Sequence, residues 1–211
     1  MLKLHGYWRS GAAYRVRLAL HYKGIAFAQV THDLRRGAQT EPAYTAINPQ
    51  GMVPSLTTED GTITQSLAIL EWLEETHPSP ALLPQSAIAR AEVRAMAAII
   101  VCDIHPLHNL RVQNALRAAG LDEAAIRAWM GHWIGSGLAA LEPRVAARGG
   151  PFAFGEAVSL LDCCLVPQIF SAERFGVGVS GFPAICAAVA AVRATAWAEA
   201  AHPSRQPDAD P

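Results

Sequence analysis

An α/β lobe followed by an all-helical lobe is the fold class that this sequence predicts, and three observations carry it. Short strand-like runs alternate with amphipathic helical runs in the first part of the chain; a proline-rich stretch from Thr76 to Gln85 interrupts it; and everything beyond has helical periodicity. A length of 211 residues suits two cores better than one, so the lobes are placed at 1–79 and 86–211. Formal net charge is −1 and charged residues make up only 17%, so no basic excess is present to hold nucleic acid. No apolar run approaches the ~18 residues of a membrane helix, and the start, Met1-Leu2-Lys3-Leu4-His5, lacks the apolar core of a signal peptide. Cys102, Cys163, Cys164 and Cys186 show no C-x-x-C spacing, and a chain of this size does not depend on disulfides. A cytoplasmic protein with reduced thiols is the expectation.

Taken in order, Leu2, Leu4 and Tyr7-Trp8 suit a short strand, while Ala12, Val16, Ala19, Leu20 and Lys23 fit one side of a helix. The turn between them lies at Arg9 to Gly11, with Ser10 as the helix cap. A helix N-terminus offers unpaired N–H groups and partial positive charge to an anion, and a serine hydroxyl there donates to the same anion. Such a setting turns a thiol into a thiolate. No cysteine stands at this turn, so a thiolate has to arrive on a ligand; a plain N-cap explains Ser10 as well. Ile25 to Val30 reads as a second strand after a Gly24 cap, which completes a parallel strand–helix–strand unit, and residues 33–47 read as irregular or weakly helical. Asn48 to Thr58 runs from a turn into a strand, with Glu59-Asp60-Gly61 as a hairpin turn and Thr62-Ile63-Thr64 returning. Pro54 cannot donate to a ladder and belongs at the first strand position. A cis Val53-Pro54 bond leaves the Val53 N–H and C=O facing outward for a peptide-like ligand, and a trans proline entering an edge strand fits the spacing equally. Ser66 is the expected cap of the helix Leu67 to Glu75, with Gln65 able to donate and accept; two such helix starts on one groove hold a carboxylate.

Beyond the prolines, helices are expected at about 87–115, 122–148, 159–174 and 183–200. Ser159 to Asp162 is a capping box with Asp in place of Glu, and a structural role explains every residue in it. Pro106 inside the first of these helices costs ~3 kcal/mol and calls for a kink at Ile104–His105. Asp103, His105, Asn109 and Arg111 do not share one helix face, but a kink brings several toward one cleft. With no H-x-x-x-H spacing around Asp103, His105 and His108, no metal site is expected. Pro203 to Pro211 is polar with three prolines and is expected to be loosely held.

Trp8-Arg9-Ser10 with Arg15-Val16-Arg17-Leu18-Ala19-Leu20, Asn48-Pro49 with Val53-Pro54, Gln65-Ser66-Leu67-Ala68-Ile69, Pro106-Leu107 with Asn109-Leu110, Cys164-Leu165-Val166-Pro167-Gln168 and Ala172-Glu173-Arg174-Phe175 occur in one order. Together they resemble the zeta-class glutathione transferases, over nearly the whole chain to Gln206-Pro207-Asp208. Within that class the likeness is to the maleylacetoacetate isomerases and their bacterial relatives, the glutathione-dependent maleylpyruvate isomerases. The resemblance implies an α/β N-terminal thioredoxin-like domain plus an all-α C-terminal domain, a homodimer, and glutathione as cofactor. It also implies cis–trans isomerisation of a small dicarboxylate in aromatic catabolism, by thiolate addition, bond rotation and elimination. It makes Val53-Pro54 the cis-Pro that meets the glutathione backbone and puts Gln65-Ser66 at the γ-glutamyl end. It sets Ser10, Gly11 and Ala12 at the helix start beside the sulfur, and carries Gln39, Asp103, His105, Asn109 and Arg111 into or beside the cleft. One departure matters: the zeta pattern reads Ser-Ser-Cys after the arginine, and this chain reads Ser10-Gly11-Ala12. Ser10 and the helix terminus then have to suffice. Lowering a thiol by two units from ~8.5 takes ~2.7 kcal/mol, within reach of one charge-assisted hydrogen bond plus a helix dipole. A diacid that gains further charge during reaction calls for arginines, and Arg9, Arg111 and Arg174 are the candidates, with Arg9 and Arg174 preferred as catalytic. The competing readings are a broader transferase or dehalogenase of small haloacids, and a non-enzymatic module of the same fold; Ser10 and the arginines argue against the second.

Overall fold

The computed structural model describes residues 1–210 and divides into two units, Met1–Leu82 joined by the segment from Arg193 onward, and Leu83–Val192. In the first unit β1 (Leu2–Gly6), α1 (Gly11–Tyr22) and β2 (Phe27–Thr31) form the expected parallel crossover, with Leu2 opposite Phe27 and Gly6 opposite Thr31. Helix α1 stops because Gly24 adopts φ 65°, which lets the Gly24 N–H reach the His21 carbonyl and the Ile25 N–H reach Leu20. Residues 33–47 hold two short 3-10 turns and the one-turn helix α2 (Pro42–Thr45). The strands β3 (Ser55–Thr57) and β4 (Thr62–Thr64) complete a sheet of order β2-β1-β3-β4, in which β3 runs antiparallel to both its neighbours. The Val53–Pro54 peptide bond is cis, as is Ser79–Pro80. Helix α3 follows (Ser66–Thr76), and here the cap differs from expectation: Gln65 is the N-cap, at φ 68°, and Ser66 is the first helical residue. The Ser66 hydroxyl is buried and receives the Arg15 Nη1 at 3.3 Å, which removes it from capping. Leu4, Val16, Leu20, Leu56, Ile69, Leu70 and Leu73 form the core of this unit.

In the second unit the single helix expected over 87–115 is broken into pieces. Helix α4 (Ala87–Ala98) widens into a π-helical stretch at Ile99–Ile104, a 3-10 turn covers His105–His108, and α5 (Leu110–Ala118) restarts with Asn109 as its N-cap. Pro106 has no N–H to give and its ring crowds the turn before it, so the regular ladder cannot cross this point. Helix α6 (Glu123–Ala146) buries Ile126, Met130, Ile134, Leu138, Leu141 and Val145 in one stripe, and a Cβ at Gly137 would run into the Ile104 side chain. The glycine therefore lets α6 close on the π-helical stretch. Helix α7 (Leu160–Arg174) opens on the capping box: both Asp162 oxygens are used, one by the Ala153 N–H at 2.9 Å, the other by the Ser159 N–H and hydroxyl at 2.8 Å. Helix α8 (Pro183–Arg193) ends the unit.

The chain then returns to the first unit. Where one helix was expected to 200, Thr195 is extended and caps a separate α9 (Ala196–Ala201), its hydroxyl accepting the Ala198 N–H. Assigning 193–210 to the helical lobe, and reading the tail as loose, are both corrected. Arg17 donates to the Ala201 carbonyl, Gln206 to the Ala200 and His202 carbonyls, and Asp210 pairs with Arg35 at 2.8 Å. Tyr14 and Tyr22 on α1 meet His202 and Trp197 edge-on. A polar composition suggested freedom, whereas the buried Arg17 of α1 takes the one carbonyl, that of Ala201, which this segment brings. Pro211, part of the expected loose tail, lies outside the described residues.

Candidate active site

The first unit gathers its candidate residues at the ends of α1, β3 and α3. Ser10 caps α1, its Oγ accepting the Ala13 N–H at 3.2 Å, which leaves the hydroxyl hydrogen to donate elsewhere. Gly11 and Ala12 follow as the first helical residues. Beside them the Arg9 guanidinium stacks over the Trp8 ring at 4.8 Å and donates weakly to the Tyr7 hydroxyl at 3.4 Å, while its buried Nε has no partner among the described residues. Val53 precedes the sheet ladder, which starts at Ser55, so its backbone takes no part in strand pairing. The Met52 carbonyl just before it is pinned by the Tyr44 hydroxyl at 2.7 Å and the Asn48 amide at 2.6 Å. Gln65, exposed, donates to Gln50 at 2.7 Å, and the half-buried Gln39 keeps a buried Oε1 with no partner among the described residues. Arg15 reaches Ser66 from α1, so the starts of α1 and α3 are tied within this unit.

Two electrostatic features frame that turn. Burial pushes the Arg17 guanidinium down to about 10, which still leaves it charged at neutral pH, among the carbonyls of Tyr7, Trp8 and Ala201. Near the ends of β1 and β2, His5 and His32 sit 3.1 Å apart and His32 packs on Tyr44, and burial first of all lowers both imidazoles below the ordinary histidine value.

The second unit arranges its candidates around the Pro106 break. Asp103 and Arg111 are exposed, and Asn109 is occupied in capping, its side chain accepting the Arg111 N–H at 3.1 Å. His105 is half-buried, its ring 5.1 Å from that of His108. His108 is buried, bonds Gln168 of α7 at 3.1 Å and meets the Phe175 ring edge-on, so the 105–109 turn and the Arg174 end of α7 are brought together. The exposed Arg174 guanidinium lies over the Phe175 ring at 4.4 Å.

The model of the glutathione S-transferase N-terminal domain matches residues 4–81. A maleylacetoacetate isomerase of Pseudomonas aeruginosa is 46% identical over 98% of each chain. A solved maleyl pyruvate isomerase, described as a bacterial glutathione S-transferase of the zeta class, shares 44% identity at a TM-score of 0.96, covering 99% of this chain and 100% of that one. This chain belongs to the zeta-class glutathione transferases. A maleylacetoacetate isomerase of Anaeromyxobacter dehalogenans 2CP-1, 43% identical with a TM-score of 0.91 over 100% of this chain and 94% of that one, was solved with dicarboxyethyl glutathione and citrate in its active site. The zeta-class fold, with its thioredoxin-like first unit and helical second unit, is the one that the motifs implied. Around the site of this zeta-class chain, sequence reasoning passed over Arg15, Arg17, Tyr44, Asn48, Gln50 and Asp208. Apart from Asn48, whose partners Gln50 and Met52 lie in its own loop, they are held by groups well separated in the chain, and only the Asn48-Pro49 and Arg15–Arg17 runs carried any local signal.

Proposed function

We propose that this zeta-class chain is a glutathione-dependent cis–trans isomerase of the maleylacetoacetate or maleylpyruvate type, acting in aromatic catabolism as a cytosolic homodimer. The observation that carries the reading is the Arg9–Ser10 turn: a hydroxyl at the positive end of a 12-residue helix, with no thiol of its own, beside an arginine whose buried Nε is unpartnered. Glutathione is the cofactor, and the side chains of the first unit fit it. A Val53 backbone outside the ladder leaves its peptide groups to a peptide-like ligand, and the Gln39 Oε1, without a partner among the described residues, suits an N–H donor. In this reading Val53 and Pro54 meet the peptide backbone, Gln65 and Ser66 its γ-glutamyl end, and Gly11 and Ala12 the sulfur. Asp103, His105, Asn109 and Arg111 of the second unit are assigned to glutathione and substrate binding as well.

When bound, glutathione supplies a thiolate that adds to the cis double bond and later leaves, so that the intervening single bond rotates to the trans form. Ser10 would hold the sulfur as an anion: its oxygen keeps the Ala13 N–H, and its hydroxyl hydrogen would be the donor to the thiolate. The α1 terminus adds its partial positive charge at no cost in reorganisation. Each candidate arginine, Arg9 in the first unit and Arg174 in the second, presents a planar fork of donors suited to a carboxylate and to the charge that builds on substrate oxygens. Stacking on Trp8 and on Phe175 pre-orients both guanidiniums.

Arg9→Met and Arg174→Met test the reading. Isomerisation of the diacid is expected to fall ~10²-fold or more for each, the ~3 kcal/mol of a desolvated charge-assisted pair, while conjugation of a neutral chlorinated nitrobenzene changes little. Lysine at either position restores activity only in part, because a point charge cannot grip both carboxylate oxygens. A parallel loss of both activities would mean that the arginines hold glutathione or the fold. Unchanged isomerisation in both variants would put a transferase of neutral electrophiles in place of the isomerase.

A further inference from the structure

The two peptide groups that flank Trp8 are both held by side chains from elsewhere. On the N-terminal side the Trp8 N–H donates to Asp208 Oδ2 at 3.0 Å, and the other Asp208 oxygen accepts Gln29 Nε2 of β2 at 3.3 Å. On the C-terminal side the Trp8 carbonyl accepts Arg17 Nη2 at 2.9 Å, and Arg17 is itself anchored through Nε on the Ala201 carbonyl at 3.1 Å. The Ser10 N–H closes the turn on the Tyr7 carbonyl at 3.0 Å. With the N–H and the C=O of one residue both fixed, its φ and ψ are fixed, and with them the direction in which the next two residues leave. Those two residues are Arg9 and Ser10.

We propose that Asp208 is a positioning residue for the Arg9–Ser10 turn: by accepting the Trp8 N–H it sets where the guanidinium and the hydroxyl stand, without touching substrate or cofactor. The assignment rests on the reading of that turn as the place of thiolate chemistry. A carboxylate suits the task, since a charged acceptor bonds an amide more strongly than a neutral one and orients it more sharply. It also lies close enough to the buried Arg17 for the two charges to favour each other, so the clamps on either side of Trp8 are coupled. Asp208 is 200 residues from Trp8 along the chain, and the described tail up to it is held by Gln206, whose amide donates to the Ala200 and His202 carbonyls.

The test uses the full-length enzyme. Hydrogen exchange without glutathione should show the wild-type Trp8 amide protected, and ~10-fold or more faster exchange in Asp208→Ala. In the same variant the pKa of bound glutathione, read from thiolate absorbance, should rise and kcat for isomerisation should fall ~10-fold, with glutathione affinity held within ~3-fold because Gln65 and Ser66 are untouched. Asp208→Asn, whose amide oxygen still accepts the N–H, should recover most of the loss. Unprotected Trp8 in the wild type overturns the proposal without any variant, so a misfolded Asp208→Ala protein does not shelter it. A folded Asp208→Ala with unchanged kcat and thiolate pKa overturns it too, as does an Asn variant no better than Ala. Arg9→Met and Ser10→Ala, assayed alongside, separate the two levels. If they lose activity and Asp208→Ala does not, only the positioning role falls; if they keep wild-type activity, the reading of the turn falls and takes the positioning role with it.

Discussion

Replacing Ser10 by alanine removes one oxygen that performs two tasks, and the two losses can be read separately. As a cap, the oxygen satisfies the Ala13 N–H at 3.2 Å; losing it exposes an orphan amide at the start of α1 and is worth ~1 kcal/mol of stability. As a donor, the hydroxyl is the side-chain hydrogen bond offered to the sulfur at this turn, and a hydrogen bond to a charged group is worth ~1.5–3 kcal/mol. At ~1.4 kcal/mol per unit, that raises the thiol pKa of bound glutathione by about one to two units. From a bound thiol held about two units below ~8.5, the thiolate fraction at pH 7 drops from ~75% to between ~25% and ~3%, so kcat/KM for isomerisation is expected to fall ~3–25-fold. The assay is the thiolate absorbance of the enzyme–glutathione complex titrated with pH, beside urea unfolding of the same preparation. Ser10→Asp sharpens it: a carboxylate caps α1 as well as serine does, so stability should be kept, but it brings a negative charge and no hydrogen to the sulfur, so the pKa should rise further. If the midpoint of the titration stays put in Ser10→Ala while stability falls by ~1 kcal/mol, the hydroxyl is only a cap and the helix terminus alone holds the thiolate.

Two further outcomes concern stability. Asp162 is 1% exposed and accepts three hydrogen bonds, so Asp162→Ala leaves the Ala153 and Ser159 N–H groups buried without partners and should cost ~3 kcal/mol or more in urea unfolding, with Asp162→Asn costing less. His5 and His32 are both held below the ordinary histidine value of 6.5, chiefly by burial, with Lys3 opposing the charge on His5 and Glu41 favouring it on His32. The neutral rings therefore contribute stability that is full above pH ~6.5 and is lost as pH falls through that value toward their lowered native pKa. The melting temperature should drop across that window, and His32→Gln should flatten the slope; a wild-type melting temperature unchanged between pH 7 and pH 5 would refute it.

What could be read from the sequence was local. Ser10 caps α1, Asp162 closes its box and Gly24 ends the first helix because each acts within about five residues of itself, the range over which a sequence window carries the physics. Pro106 announced a break, but not its form: a π-helical stretch has no composition of its own, and the close approach of Ile104 to Gly137 involves a helix more than thirty residues further on. The cap of α3 was off by one because serine has the stronger capping preference. What reassigns Ser66 is Arg15, 51 residues away. At the site, Ser10 and Gln65 stood out at two helix starts and the Pro106 kink drew notice to Asp103, His105, Asn109 and Arg111, whereas Gln39 and the role of Arg9 entered through the resemblance, since an isolated polar residue on a loop looks the same whether or not it binds anything. The tail misled for the opposite reason. Its Asp208 and Asp210 are the partners of Trp8, of Gln29 on β2 and of Arg35, and nothing nearby in the chain reveals that they are taken.

The return of the chain from Arg193 onward to the first unit has a bearing on how the protein is made. Arg17 leaves the ribosome 184 residues ahead of Ala201, whose carbonyl receives its Nε. Throughout translation of the helical unit, then, the nascent first lobe carries a cation whose last acceptor has not been synthesised, and domains emerging first ordinarily fold first. The sheet and α1 can assemble early, but the turn at Trp8 stays unlatched until the final stretch arrives. A chain cut short after α8 would keep all four strands and the whole apolar stripe of α6, and still lack the carbonyl and the carboxylate that close on Trp8 and Arg17.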